Sequence, residues 1–402
     1  MRSIQVALFL ASRSIFRGNF WIGAMTILMM ILVYLNLLFA PSLLQGVISQ
    51  MNSKLRDTLV GNITVESSTP GSQITDSTKL VEQIVTINGV EAVTPARTIS
   101  GQLELGSERG TAEVSGIDTE SFKDVFTVPQ YMIEGSFLSA GDTDKIVLGA
   151  QIAGAGKAKL ELYSDSLKNA HTGDKVKVSF ANGAVKEYTV KGIFQSEFVQ
   201  ADLKTLINAD EFSQVVPNSV NSASAINVKL KSDANQGNIN DQISALRSDI
   251  KTRTWQERAG FVKSYTESIE VINKILRAVA LFVGFLTIFI ITYVDVVNKK
   301  RQIGIERAIG ISPPTIILSY EFRALFYTLI GAILGAIGFI LVVVPLEARY
   351  PFHFPLGNVY LDVNSNFMIR NAIILLLVSF ASATLPAWRA VYGKIVDAIW
   401  GN

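Results

Sequence analysis

Cysteine is missing from this chain of 402 residues, and histidine occurs only twice. The first absence excludes a disulfide framework and a thiolate metal site. His171 and His353 are far apart in the chain, and neither sits in an HExxH or similar ligand pattern, so hydrolytic chemistry has little to draw on. Excess charge is missing as well. Thirty-six basic residues against 34 acidic ones leave a formal net charge of +2, which does not indicate nucleic-acid binding. A true phosphate loop is also lacking. Lys145–Gly149 followed by Ala153–Lys157 imitates a strand leading into one, but its first glycine would fall on Gln151, and Ala158 replaces the hydroxyl residue. Asn62-Ile63-Thr64 fits a glycosylation sequon, a three-residue match that chance readily supplies.

Apolar residues, by contrast, are abundant. They make up 49% of the chain, with a mean hydropathy of +0.33. They are concentrated in four runs, over 20–40, 278–297, 318–346 and 371–388, each long enough as a helix to cross roughly 30 Å of hydrocarbon. Lys and Arg flank these runs unevenly. Arg13 and Arg17, then Lys299, Lys300, Arg301 and Arg307, then Arg389 and Lys394 fall on one side, while the short loop 347–370 carries only Arg349 and Arg370. The positive-inside rule then puts both termini in the cytoplasm and everything from about Pro41 to Arg277 outside. The predicted fold class is an α-helical membrane protein of four transmembrane helices, with a large extracytoplasmic α+β domain between helices one and two.

Periodicity fills in the rest. Ile4, Ala7, Leu8, Ala11 and Ile15 recur at helical spacing with arginines opposite, giving an interfacial helix within 1–19. Leu44, Ile48, Met51 and Leu55 extend the first span as an amphipathic stalk over 41–61, with Pro41 at most kinking it. Phe261, Tyr265, Ile269, Ile272 and Leu276 do the same over 256–277. Between the stalks, 62–255 is a soluble domain. In it Lys175–Phe180 and Val185–Phe194 form a hairpin about Asn182-Gly183, and Gly89–Val93 and Asn227–Leu230 look like further strands. Thr78–Ile87 and Asn238–Ser248 are helix candidates, and Asp118–Phe126 and Ala209–Val216 are short helices or loops. Loop 347–370 holds an aromatic interface anchor, Tyr350 to Pro355. The tail is 389–402.

Segment 298–315 is the chemical focus. Lys299, Lys300, Arg301, Arg307 and Arg323 surround a short amphipathic stretch in which Ile303, Ile305 and Ile309 alternate with charged and small residues. Gly310 and Pro313-Pro314 end any helix there. It is either a cytoplasmic docking helix or a basic loop that only fixes topology. Asp295, Glu321 and Arg323 are expected to serve as topology and docking charges near the same interface. In the third span Gly331, Gly335 and Gly338 form a small-residue face suited to close helix packing, within the protomer or between two.

The sequence Lys300-Arg301-Gln302-Ile303-Gly304-Ile305-Glu306-Arg307-Ala308-Ile309-Gly310 resembles the basic-x-Glu-Ile-Gly-basic-Ala-Leu-Gly signature of the type VII ABC transporter permeases, with Gln302 where the family has Glu. This is the macrolide-exporter, lipoprotein-releasing and cell-division superfamily of FtsX-like permeases. Leu385-Pro386-Ala387-Trp388-Arg389-Ala390 is similar to the family's ending of its last span, and Ile395–Ile399 stands where the family has its tail. The resemblance implies a non-enzymatic subunit of the cell (inner) membrane that binds no cofactor itself. ATP and Mg would sit on a separate ABC ATPase subunit docked on Lys300–Gly310. A second permease protomer, identical or different, would pair through spans one and two, and there is room for a membrane fusion or other extracytoplasmic protein. The implied work is mechanotransmission, which would extrude or extract a lipoprotein, lipid or drug. An alternative is activation of an extracytoplasmic cell-wall hydrolase. A different class of reading is an ATPase-independent receptor.

The sidedness is directly testable, because the natural chain offers no competing thiol. An Asn182→Cys variant should react with a membrane-impermeant maleimide in intact cells, and Lys300→Cys only after permeabilisation. Equal labelling of both would refute the assigned orientation.

Overall fold

From Phe20 the chain forms one helix to Leu55, because an unbroken apolar run in a solvent without hydrogen-bonding capacity must satisfy its backbone internally. Pro41 lies inside that helix without ending it. The computed structural model describes residues 2–18, 20–154, 165–354 and 357–392. Lys157, Lys394 and Ile395–Ile399 lie outside these, as does most of the loop that imitates a phosphate site. Four helices among the described residues are long and apolar enough to cross a membrane: Phe20–Val60, Glu267–Asn298, Pro313–Arg349 and Ser365–Val391. The chain divides into two compact units. One comprises Met1–Ile48, Tyr265–Phe352 and Asn358–Asn402, the other Ser49–Ser264 with His353–Gly357.

In the first unit the N-terminal helix Arg2–Arg17 buries Ala7 and Ala11, and Phe16 meets Phe326 edge-on at 6.4 Å. Ile4 and Leu8 of its predicted apolar stripe remain about half exposed. The four long helices share a core of Met30, Tyr34, Leu37, Ile288, Ala332 and Leu375. A Cβ built on Gly331 would lie 2.5 Å from Met30 Cβ, and one on Gly335 3.0 Å from Tyr34 Cδ1. These two glycines let the first and third long helices approach closely. At Gly338 nothing lies within 4 Å of an added Cβ, so among the described residues it makes no close helix contact within the protomer. It shares their face by helical angle, but the contact ends after two turns.

The second unit is built on a mixed sheet of ten strands. These are β1 Ile63–Ser67, β2 Val90–Leu105, β3 Glu108–Ile117, β4 Met132–Gly135, β5 Lys145–Gly149, β6 Lys175–Phe180, β7 Val185–Phe194, β8 Lys204–Asn208, β9 Ala225–Leu230 and β10 Ile250–Thr254. The order is β10-β1-β9-β2-β3-β8-β5-β7-β4, with β6 bridging β2 and β7. The expected hairpin is β6–β7, turned by Gly183 at φ +86° while Asn182 Oδ1 accepts from Ala184 N–H. Helices Ser77–Val85 and Gln236–Ser244 bury Leu80, Ile84, Ile239 and Ile243 against Ile63, Val65 and Val228. Helix Ala209–Val215 inserts Phe212 among Val114, Ile146 and Val190.

The two ends of this unit are tied together. β1 pairs antiparallel with β10, Ile63 opposite Thr254, and Trp255 N–H donates to Asn62 O at 3.0 Å. Thr254 and Glu257 form a capping box for the short helix Trp255–Arg258, after which the helix Gly260–Asn298 begins. On the incoming side Leu55 is buried, and so is the ammonium-bearing Lys54. Lys54 Nζ donates to Ser196 O at 2.7 Å and lies 4.0 Å from the Tyr131 ring centroid. Asp202 holds that acceptor loop in place, accepting from Ser196 N–H at 2.7 Å, Ser196 Oγ at 2.6 Å and Glu197 N–H at 3.1 Å.

Two outcomes follow from this packing. Gly331→Val overpacks the crossing with Met30 and should destabilise the detergent-solubilised protein by about 1–3 kcal/mol, whereas Gly338→Val should leave its melting temperature unchanged. The second concerns pH. Burial pushes the Asp202 carboxyl up to about 6, against an ordinary value of 3.8, so the folded domain favours its protonated form. Its contribution to stability therefore grows as pH falls through about 6 and is complete below the ordinary value. Measured against an Asp202→Asn variant, the wild type should gain melting temperature between pH 7.5 and pH 4.5. A constant difference would refute this.

Candidate functional site

The short basic helix spans Lys300–Ala308. Gly310, at φ +94°, lets the chain turn back. Gly310 N–H donates to Arg307 O at 3.1 Å and Ile311 N–H to Glu306 O at 3.1 Å, the paired bonds of a Schellman ending. Ser312 then precedes a helix that starts with Pro313 at its first position.

Helical geometry sorts the signature residues onto two faces. Ile303 is only 3% exposed and packs with Val296, Ile316, Tyr320, Ala387 and Val391; Gly304 is buried beside it. Ile305 and Ile309 are 49% and 72% exposed. The expectation that the whole stretch Lys300–Gly310, Ile303 included, faces a docked partner is therefore corrected. Two residues advance a helix by about 200°, so Ile303 and Ile305 cannot share a face, while Ile305 and Ile309 must. The exposed face carries Arg301, Ile305, Ala308 and Ile309, with Lys300 and Gln302 exposed alongside and Arg307 half-buried. Gln302 Nε2 donates to Glu306 Oε1 at 2.9 Å. Burial pushes the Glu306 carboxyl above its ordinary range, opposed by that hydrogen bond.

Behind this face, one carboxylate joins three elements. Asp295, in the last turn of the helix Gly260–Asn298, lies 3.1 Å from Lys299 Nζ and 2.6 Å from Arg323 Nη1. Lys299 Nζ also donates to Ser14 Oγ of the N-terminal helix at 2.9 Å. Arg323 stands 5.0 Å from the Tyr320 ring centroid. Beside the group lies a cavity of about 260 Å³, bordered by Arg13, Arg17, Gln302 and Glu306. Glu321 is buried and accepts from Thr384 Oγ1 at 2.7 Å. Asp295, Glu321 and Arg323, expected as docking charges, are thus spent on internal pairing and hydrogen bonding. An isolated charge at this depth would be too costly to leave exposed to hydrocarbon.

Lys54 escaped sequence reasoning. The signal was present, since it is a lysine falling within the stripe Ile48, Met51, Leu55 that otherwise marks the buried face. The arrangement offers no nucleophile with a base. It offers an apolar pair in a basic surround, mounted rigidly between two long helices.

Comparison with known proteins agrees with this layout. The family model for the MacB-like periplasmic core domain matches residues 24–246, and that for the FtsX-like permease C-terminal region matches residues 275–395. The crystal structure of the periplasmic region of MacB from Actinobacillus actinomycetemcomitans aligns at 15% identity and a TM-score of 0.36, covering 50% of this chain and 93% of that one. The extracellular domain of the ABC-type transporter YknZ from Gram-positive bacteria aligns at 11% identity and a TM-score of 0.36, covering 48% of this chain and 99% of that one. No curated protein sequence matches the chain. Four apolar helices, with an α+β domain of the MacB-like periplasmic core type between the first two, identify a multi-pass membrane protein. The chain belongs to the FtsX-like permeases that carry a MacB-like periplasmic core domain, within the type VII ABC permease superfamily.

Proposed function

We propose that this chain is the permease subunit of an ABC transporter working by mechanotransmission. A separate ATPase subunit, holding ATP and Mg, docks on the face of Lys300–Gly310 from the cytoplasm. A second permease protomer pairs through spans one and two. ATP binding and hydrolysis drive movement of the extracytoplasmic domain, which extrudes or extracts a hydrophobic substrate such as a lipoprotein, lipid or drug.

The observation that carries the reading is the two-faced basic helix. Ile303 and the Asp295 ion pairs fix it to the bundle, while Ile305 and Ile309 stay solvent-exposed among cations. Fixing one face while leaving the other apolar and free is how a surface receives and passes on a push. Helix length supports it too. The helices Phe20–Leu55 and Gly260–Asn298 have 36 and 39 residues. At 1.5 Å per residue they measure about 54 and 58 Å, well beyond the roughly 30 Å of hydrocarbon. Val271, Ile272 and Ile275 are exposed along the second of them, which suits a partner protomer.

Pull-down of the full chain from its native membrane should return a nucleotide-binding subunit. Ile305→Asp or Ile309→Asp should abolish that association at unchanged melting temperature, because each buries an unpaired charge at the contact. Lys54→Met should leave association intact but lower the fraction of ATP turnover that produces transport. Recovery of no ATPase, with Ile305→Asp behaving as wild type, would end this reading.

A further inference from the structure

A second polar cavity, of about 410 Å³, lies in the membrane unit far along the chain from the basic helix. Pro41 and Ser42 of the first long helix, Asn273 and Arg277 of the second, and Phe367 and Arg370 of the last form its working surface. Its depth follows from the sequence: Pro41 directly follows the apolar run 20–40, Arg277 directly precedes 278–297, and Arg370 directly precedes 371–388. Three run ends meeting in one cavity put it at the boundary between hydrocarbon and water, where lipid headgroups sit.

Its chemistry is unbalanced. The Arg277 and Arg370 guanidinium carbons lie 5.7 and 5.8 Å from the same Phe367 ring centroid, so one aromatic ring serves both cations. Among the described residues neither arginine has a carboxylate within ion-pair distance, although Asp362 also lines the cavity. Arg277 Nε and Asn273 Oδ1 are buried without a hydrogen-bond partner. Two like charges gathered at one ring, one of them with a buried donor left unused, are costly as they stand. An oxyanion between them removes both penalties, and the planar guanidinium fork matches phosphate oxygens in pairs.

We propose that this cavity binds the phosphate of an anionic lipid headgroup, with Arg277 and Arg370 as its donors and Phe367 holding both in place. The assignment rests on the cavity alone and is independent of the ATPase partner and of which way the chain crosses the membrane.

The test uses the full chain in a neutral detergent, with lipid binding followed by native mass spectrometry and thermal shift. Phosphatidylglycerol should bind and raise the melting temperature, and diacylglycerol with the same acyl chains should not. An Arg277→Gln/Arg370→Gln double variant should bind phosphatidylglycerol at least about tenfold more weakly, the loss expected for charge-assisted hydrogen bonds. Arg349→Gln, outside the cavity, should bind as the wild type does. Equal binding of both lipids by the wild type overturns the proposal without reference to any variant, as does undiminished binding by a folded double variant. Stabilisation by millimolar inorganic phosphate equal to that by phosphatidylglycerol, and lost in the double variant, would overturn the lipid source in favour of a soluble phosphorylated ligand.

Discussion

Asp295 accepts two cations from two different directions, and the rest of the membrane unit can be understood from that fact. Lys299 reaches it from the next turn, and Arg323 from the helix beginning at Pro313. A carboxylate near hydrocarbon must be compensated, and each cation likewise, so the three groups fix where the second long helix stops and how far the third stands from it. The short basic helix lies in the connection between those two, with its direction set by this arrangement and by Ile303 packed beneath it. The exposed pair Ile305 and Ile309 inherits its position. Nothing in the isoleucines themselves determines which is buried. The ion pairs and the 100° turn per residue do.

The other unit closes on itself where its chain enters and leaves. Here the entering and leaving segments run side by side as β1 and β10, five residue pairs in register from Ile63↔Thr254 to Ser67↔Ile250. Lys54 binds the helix end to the loop at Ser196, and Asp202 stiffens that loop with three hydrogen bonds. A lysine buried this deeply must find strong acceptors, and a backbone carbonyl with an aromatic face supplies them. The arrangement costs stability at neutral pH, since Asp202 must ionise in a desolvated place.

Much of this was legible in the sequence where a signal is local. The four apolar runs need no knowledge of partners, and the β6–β7 hairpin announces itself by alternation about Asn182-Gly183. Helix limits were also near, Gln236–Ser244 for an expected Asn238–Ser248. What failed to show depends on non-local pairing. β2 runs from Val90 to Leu105, although only its first residues look like a strand, because Pro95 interrupts the pattern. A proline breaks a ladder only where its missing N–H is needed. Pro95 sits one residue before Ala96, where the strand passes from β9 to β3. The alternation Ile303–Ile305 fitted a strand's period as well as an amphipathic helix, so its division into two faces emerged only with the helix itself. Gly338 had the right angle, but a small-residue face is only as long as the crossing it serves.

The interior of the helix bundle is held by polar contacts as well as by apolar packing. Several of its polar side chains are engaged with one another or with backbone, while the amide of the buried Asn371 has no hydrogen-bond partner among the described residues. Thr328 Oγ1 meets Ser379 Oγ at 2.6 Å, Ser382 Oγ donates to Phe285 O at 2.5 Å, Thr384 Oγ1 donates to Glu321, and Tyr34 donates to Met368 O at 2.9 Å. A transport path through the bundle would need polar groups facing a shared space and free to exchange partners with cargo. These four contacts do the opposite: each locks two helices together and presents nothing to a passing solute. Two polar cavities of the membrane unit lie at run ends, about Arg323 and about Arg277, and an apolar one of about 310 Å³ lies between the first and second long helices beside Val33 and Val279. Together with the close crossing at Gly331 and Gly335, the four polar contacts tie the last helix and the first to the rest of the bundle.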